Sequence, residues 1–507
     1  VGFAKNRQLM KHPSTHSKAL IVGAGIAGIA SAIRLRMQGF DVEVFEQNNY
    51  PGGKLSDFKL GNYQFDAGPS LFTQPQLIQE IFELAGEEIN DHFEYHRLPV
   101  SCNYFFEDGT RVNAFADRTE LANELFNKLD EPIENTNRFL NQSSNVYNSI
   151  GSFFLQNSLH KKSTLFKKGV WPALKQTRLK YLFKSMHQLH EQEFKSAKTV
   201  QLFNRYATYN GSNPYKAPAM LTMIPHLEHN EGSFYPKGGM ISITKSLYEL
   251  ALRKGVVFHF NLKVDSIITS ENKVLGIVVN GKNHLADCVV SNMDVYFTYK
   301  YLLKNETLAA KVLKQERSSS AYIFYWGVKR EFSELSLHNI FFTKDYRVEF
   351  DHLFNRKTIY SDPTVYIHIT SKCEPGVHAP EGKENWFVMV NAPANRGQNW
   401  EEEGKRIRSA VLIKLSSILG VEIEPLIEEE QVLTPESIES KTASYMGSLY
   451  GTSSNSKMAA FMRHPNFSNE IKGLYFVGGS VHPGGGIPLC LNSAKIMADI
   501  VEKDYSK

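Results

Sequence analysis

The sequence predicts an α/β protein with a parallel sheet assembled from both ends of the chain. Three observations lead there. A strand–glycine turn–helix–strand unit occupies 18–47. A second strand–glycine loop–helix occupies 474–500. Between them the chain mixes helices with alternating strands and holds no repeats or low-complexity segments. A length of 507 residues with 42% hydrophobic composition is enough for two or three subdomains around a large core.

The first unit begins with the apolar run 19–22, long enough for one buried parallel strand. Gly23, Gly25 and Gly28 follow in G-x-G-x-x-G spacing. The first permits a tight turn, the second lets backbone approach a pyrophosphate, and the third lets helix pack closely on strand. Ile26, Ile29, Ala30, Ile33 and Met37 share a helical face, Gly39 sits where a C-cap glycine belongs, and 41–47 reads as the next strand. Glu46 lies 18 residues past Gly28, near the place of an acid that accepts hydrogen bonds from a ribose. In register, these features read as a Rossmann-like cradle for an adenine dinucleotide, with the helix N-terminus aimed at the phosphates. The uncharged stretch 19–33 is too short for a membrane span and is broken by glycines. It also lacks a cleavage site.

Next, Gly52 and Gly53 mark a turn, and Lys54 is either a cation near phosphate or an ordinary solvated lysine. Tyr63–Asp66 reads as a short strand ended by Gly68 and Pro69, 75–85 as a helix, and 100–112 as a hairpin around Asp108 and Gly109. Residues 119–155 are largely helical. Then 160–184 carries eight Lys/Arg and no acid, interleaved with Trp171, Phe166, Phe183 and leucines. That mixture suits an anionic membrane surface, and Pro172 favours two short helices over one. A solvated basic helix face or a nucleic-acid patch is the other reading. A net charge of only +4 does not point to nucleic acid.

Residues 216–240 read as loop-rich with a helix in the middle, and 241–254 as an amphipathic helix. Strands follow at 256–260, 263–269, 274–279 and Cys288–Ser291, with turns at 271–272 and 280–281, as a meander returning to the nucleotide domain. Further strands are expected at 321–328, 364–369 and 386–391, and a helix at 404–419 with Ile407, Val411, Leu415 and Ile418 on one face. The four cysteines lie far apart without a C-x-x-C pair, which fits a reducing compartment and offers no thiolate metal site. No convincing metal set appears. Residues 1–17 read as a polar tail.

In the second unit, 474–477 is a strand, Gly478 and Gly479 end it, residues 483–486 form a glycine loop, and 487–500 continues as a helix. Its amides and positive helix end suit a ring or phosphate. Five segments carry a family resemblance: VGAGIAGIASAIRL from Val22, PGGKLSDFKLGNYQFDAGPSLF from Pro51, GSFYPKGGM from Gly232, ADCVVSNMD from Ala286 and FVGGSVHPGGGIP from Phe476, with TASYMGSLYG from Thr442 as a sixth. Together and in this order, they resemble the FAD-dependent carotenoid desaturases of the bacterial phytoene desaturase type.

The resemblance implies a Rossmann-like FAD-binding domain of the glutathione reductase/amine oxidase type. It would be discontinuous, over 18–85, 232–300 and 440–507. A helical membrane-facing insertion is expected over 86–231 and an α+β substrate domain over 301–439. FAD would be held by Gly23, Gly25, Ala27, Gly28, Glu46, Gly53, Lys54, Gly68, Pro69, Ser70, Val264, Gly478, Gly479, Gly486, Ile487 and Pro488. Lys54 replaces an arginine common in relatives, and Gly479 with Ser480 stands where amine oxidases place Gly-Glu. The implied chemistry is a CH2–CH2 unit beside a polyene becoming CH=CH, with hydride passing to the flavin. Residues 101–109 and 214–239 lean toward a hydroxycarotenoid 3,4-desaturase within the family. The partners are then a carotenoid and the inner face of a membrane, approached from the cytoplasm through 160–184. Oxygen and a membrane quinone both fit as terminal acceptor. His482 is the first candidate for the departing proton, followed by His226, Glu228 and His229 in a loop-like stretch; the plainer reading of each, and the favoured one, is a surface or structural hydrogen-bonding side chain. A flavin amine oxidase or a carotenoid isomerase of the same fold is the alternative.

Overall fold

The computed structural model describes residues 17–161, 180–456 and 463–506. Its centre is a five-stranded, wholly parallel sheet in the order Leu474–Phe476, Cys288–Ser291, Lys18–Val22, Asp41–Phe45, Val257–His259. Lys18–Val22 is central and apolar because both its faces are covered. The helix Ile26–Met37 packs against Gln76–Leu84, Ile241–Arg253 and Ile487–Tyr505. Ile26 through Leu35 are all buried, so this helix is enclosed on every side rather than along one stripe. Ala27, Gly28, Ala30, Ser31 and Ala32 keep it thin enough for that.

The expected meander divides. Val257–His259 and Cys288–Ser291 join the parallel sheet, whereas Val264–Ser270 and Lys273–Val279 pair with a strand the sequence reading omits, Lys282–Leu285. Both connecting turns have two successive residues at positive φ, Glu271 and Asn272, then Asn280 and Gly281, the hairpin geometry that matches strand twist.

A seven-stranded sheet forms the second layer, in the order Ile427–Leu433, Ser320–Val328, Glu384–Ala392, Val365–Ile369, His338–Phe341, Val100–Phe105, Arg111–Phe115. Alternation assigns its faces. Tyr322, Phe324, Trp326 and Val328 pack with Trp400, Ile407, Val411 and Leu415 of the helix Trp400–Leu419. Ala321, Ile323 and Tyr325 point the other way, toward Tyr63, Phe65 and Phe387. The expected helical insertion over 86–231 is therefore corrected. The hairpin Val100–Phe105 with Arg111–Phe115 belongs to this sheet, and Val100–Phe105 runs parallel to His338–Phe341. The rest of 118–156 is helical as expected. Of the basic stretch 160–184, residues 162–179 lie outside the described residues, as does the proposed break at Pro172. Most of the tail 1–17 lies outside them too.

Candidate functional site

One cavity of about 880 Å³ runs from the mouth of the parallel sheet to the inner face of the seven-stranded sheet. Gly23, Gly25, Ala27, Glu46, Gly53, Lys54, Gly68, Pro69, Ser70, Val264, Gly478, Gly479, Gly486, Ile487 and Pro488 all line it. The two glycine segments meet there from opposite ends of the chain. Gly28 stands behind the wall, where a Cβ would fall 2.2 Å from the Gly23 carbonyl oxygen. Gly23 itself adopts φ +96, a turn that disfavours a side chain.

The cradle fits a dinucleotide. The leading amides of the helix Ile26–Met37 have no intrahelical partner by geometry and face the cavity at Ile26 and Ala27. Glu46 is buried at the end of its strand, its carboxylate accepting from the Ala24 and Asn48 amides. That leaves it facing the cavity where a ribose hydroxyl would donate. Asn292 pins the arrangement: Oδ1 accepts from the Gly28 amide at 3.0 Å, and Nδ2 donates to the Val477 carbonyl at 3.3 Å. Asn292 lies inside ADCVVSNMD but was not singled out as a site residue; its place one residue past a parallel strand was the signal.

Lys54 is no solvated lysine. Burial pulls its ammonium below the usual lysine range, opposed by the Asp294 carboxylate, and Nζ donates to the Leu449 carbonyl at 3.2 Å. A second cation, Arg463, stands beside the glycine loop, donating to the Tyr450 carbonyl at 2.8 Å; burial, then the charge of Arg317, lowers it to about 10. Lys54 and Arg463 thus place positive charge on the wall near Gly479 and Pro488, where an electron-accepting ring would gain negative charge.

Away from the cradle the walls turn apolar. Leu221, Met223, Ile224, Leu227, Phe154 and Leu155 face Ile323, Tyr325, Phe387, Met389 and Leu433. One polar group stands out in this chamber. Arg205 donates to the hydroxyls of Tyr104, Tyr206 and Tyr209 and to Glu228 Oε1 at 2.6–3.1 Å. Burial, the largest single influence, acts to raise the Glu228 carboxyl, but the Arg205 guanidinium, His229 and the Tyr209 and Tyr206 hydroxyls together outweigh it and hold the group below the usual range.

The sequence-based proton acceptors fare differently. His482 is fully buried and does not line the cavity. Its Nε2 sits 3.0 Å from the Asn157 carbonyl oxygen, its ring packs on Phe154, and burial lowers it to about 4. His226, Glu228 and His229 are not in a loop: they lie in the helical turns Ile224–His226 and Leu227–Glu231. His226 meets Asn230 and His229 meets Tyr206, both outside the cavity wall. All four have hydrogen-bond partners within the protein, and none lines the cavity. Among the described residues no cluster of three or more His, Cys, Asp or Glu is placed to hold a metal.

Comparison with known proteins agrees with this geometry. Residues 26–501 match the family model for flavin containing amine oxidoreductases. A 1-hydroxycarotenoid 3,4-desaturase from Flavobacterium sp. (strain P99-3) is 50% identical over 96% of this chain and 99% of its own. A 4,4'-diaponeurosporene oxygenase from Staphylococcus haemolyticus (strain JCSC1435) is 31% identical over 96% and 97%. Among solved structures, a putrescine oxidase double mutant has a TM-score of 0.61 at 12% identity, covering 97% of this chain and 99% of its own. An oxidoreductase from Methanosarcina mazei has a TM-score of 0.60 at 14% identity, covering 94% and 98%. The chain belongs to the flavin-containing amine oxidoreductases and is an FAD-dependent oxidoreductase.

Proposed function

From its place among the flavin-containing amine oxidoreductases, we propose that the protein is a carotenoid desaturase acting on a hydroxylated polyene, as a 1-hydroxycarotenoid 3,4-desaturase does. The observation that carries the reading is the single cavity joining a dinucleotide cradle to an apolar chamber, in a chain 50% identical to a relative of that name.

In this reading Gly23, Gly25, Ala27 and Gly28 form the pyrophosphate cradle and Glu46 holds the ribose. Gly53, Lys54, Gly68, Pro69, Ser70, Val264, Gly478, Gly479, Gly486, Ile487 and Pro488 surround the rest of FAD. When bound, FAD supplies the acceptor for a hydride and its two electrons. The chain does the rest. Ile323, Tyr325, Phe387, Met389, Leu221, Met223 and Leu227 line the cavity and align a rigid polyene along it. Loss of hydride from one carbon leaves an allylic cation. The neighbouring C–H is then acidic enough for its proton to pass to water without a strong protein base, completing CH=CH.

The flavin domain would comprise 18–85, 232–300 and 440–507, and the substrate domain 301–439 with the strands of 100–115. Residues 160–184 would meet an anionic membrane. Among the described residues no helix is long and apolar enough to cross one.

The test is expression in hosts that make hydroxylated or non-hydroxylated carotenoids, with product mass and absorption spectrum read out. Loss of two hydrogens with a red shift is expected. Unchanged mass would replace desaturation by isomerisation, and a gain of oxygen would replace it by oxygenation. Peroxide release from amines would support an amine oxidase.

A further inference from the structure

Among the polar side chains that line the chamber, several meet along one line of the seven-stranded sheet. In the register there, Asn103 pairs with Asn339, Tyr104 with Ile340, and Ile340 in turn with Tyr366. With side chains alternating, Tyr104, Ile340 and Tyr366 share one face, and His338, two residues before Ile340, lies on it too. His338, Tyr366 and Ser70 form a chain: His338 Nδ1 is 2.8 Å from the Tyr366 hydroxyl, which is 2.8 Å from Ser70 Oγ. The Arg205 guanidinium lies over the Tyr104 ring on the same face. His338, Tyr366, Ser70, Arg205 and Tyr209 all line the cavity.

His338 is 3% exposed, and its Nε2 has no hydrogen-bond partner among the described residues. A buried polar atom left unmet in a folded core costs stability, and because His338 lines the cavity a group bound there can meet it. Its chemistry is restricted. Burial lowers the imidazole to about 4, so the ring is neutral at ordinary pH. Arg205 is already matched by Glu228. Nothing here offers net charge to a carboxylate or an ammonium. A neutral imidazole presents either a lone pair or an N–H at Nε2, depending on which way the Tyr366 and Ser70 hydroxyls point. An alcohol satisfies both states, because it donates and accepts. A hydrocarbon end satisfies neither. Tyr209 accepts from Arg205 and donates to Glu228, which leaves one lone pair of its hydroxyl toward the same space.

We propose that His338 Nε2, held by Tyr366 and Ser70 and flanked by Arg205 and Tyr209, binds the hydroxyl of the polyene substrate and selects hydroxylated over hydrocarbon ends. The inference rests on the polyene reading above. The interaction is non-covalent.

The test uses the purified holoprotein in liposomes with one hydroxylated polyene and the same polyene lacking the hydroxyl. Turnover and equilibrium binding, by fluorescence quenching, are measured in parallel. The wild type is expected to prefer the hydroxylated compound. His338→Leu is expected to lose about 10- to 100-fold in kcat/KM for it, through KM, with the hydrocarbon unchanged. His338→Gln, whose amide donates and accepts, is expected to recover most of the loss, and flavin absorbance reports folding. A parallel fall on both compounds, or no fall in His338→Leu, overturns the proposal. Binding preference without turnover supports it while removing the desaturase reading. Turnover of both compounds without preference removes only this inference. Binding of neither removes both.

Discussion

Gly28→Ala isolates the closest backbone approach in the cradle. The new Cβ would sit 2.2 Å from the Gly23 carbonyl oxygen and 3.0 Å from Asn292 Oδ1. Ordinary contact needs about 3.5 Å, so helix and turn must part by more than about 1 Å. The helix cannot retreat, because the residues from Ile26 to Leu35 are buried all round. Gly28 is helical, without positive φ, so alanine carries no torsional penalty and regains about 0.5–1 kcal/mol of helix propensity. Overpacking costs about 1–3 kcal/mol. Stability should therefore fall by only about 1–2 kcal/mol. Flavin affinity should fall more, since the shift displaces the amides that face the pyrophosphate. Each 1.4 kcal/mol is about tenfold in affinity. The assay is the ratio of flavin to protein absorbance after gel filtration, with thermal melts at increasing FAD. Gly109→Ala is the control: its φ is +84 in open space, far from the cradle, so stability falls by about 1 kcal/mol and flavin stays. Full flavin content in Gly28→Ala, or equal flavin loss in both variants, would refute the steric argument.

Three further outcomes follow from the same structure. Glu349 is raised to about 7 by burial, against its two hydrogen bonds from Thr364 and the charge of Lys414. Its folded value exceeds the unfolded one, so the native state holds the extra proton, and stability falls as pH rises from about 4.5 through 7, on the order of 3 kcal/mol in all. Glu349→Gln should thus melt higher than wild type at pH 8 and much closer to it at pH 4.5; a pH-independent difference would exclude this origin. Glu228→Ala strands the buried Arg205 cation and should cost about 3–5 kcal/mol, read from the urea midpoint, with a cost under about 1 kcal/mol contradicting the pairing. Replacing Lys167, Lys168, Lys175 and Arg178 by glutamine should weaken flotation with anionic vesicles by about a thousandfold, at about 1 kcal/mol per charge, while leaving flavin content intact. Undiminished flotation would place the membrane contact elsewhere.

The cradle was legible because its chemistry is local. Gly23, Gly25, Gly28 and Glu46 obey a spacing fixed by one turn, one helix and one strand, and fifteen of the sixteen expected cofactor residues line the cavity. The chamber was not legible, for three separate reasons. The strand His338–Phe341 is four residues long with no alternation, so His338 carried no signal. The strand Ile427–Leu433 is rich in glutamate, as suits the edge of a sheet exposed to water, and does not resemble a strand by hydropathy. The Arg205 cluster draws on Tyr104 and Glu228, whose meeting depends on a hairpin that the sequence places among helices but the fold places in a sheet. Lys54 was legible as a choice between two environments, and burial decides it.

The parallel sheet has a consequence for the order in which the protein is made. Lys18–Val22 and its glycine turn leave the ribosome long before Leu474–Phe476 and the helix Ile487–Tyr505, which cover the edge of Cys288–Ser291 and one side of the helix Ile26–Met37 and are synthesised hundreds of residues later. Until then an apolar strand edge and a helix flank stand open, in the state most prone to pair with the wrong chain. The cofactor cannot be enclosed in that interval, because one wall of its site does not yet exist. Capture of FAD thereby follows synthesis of both glycine segments, and closes over the first-made of the two only when the second has reached it.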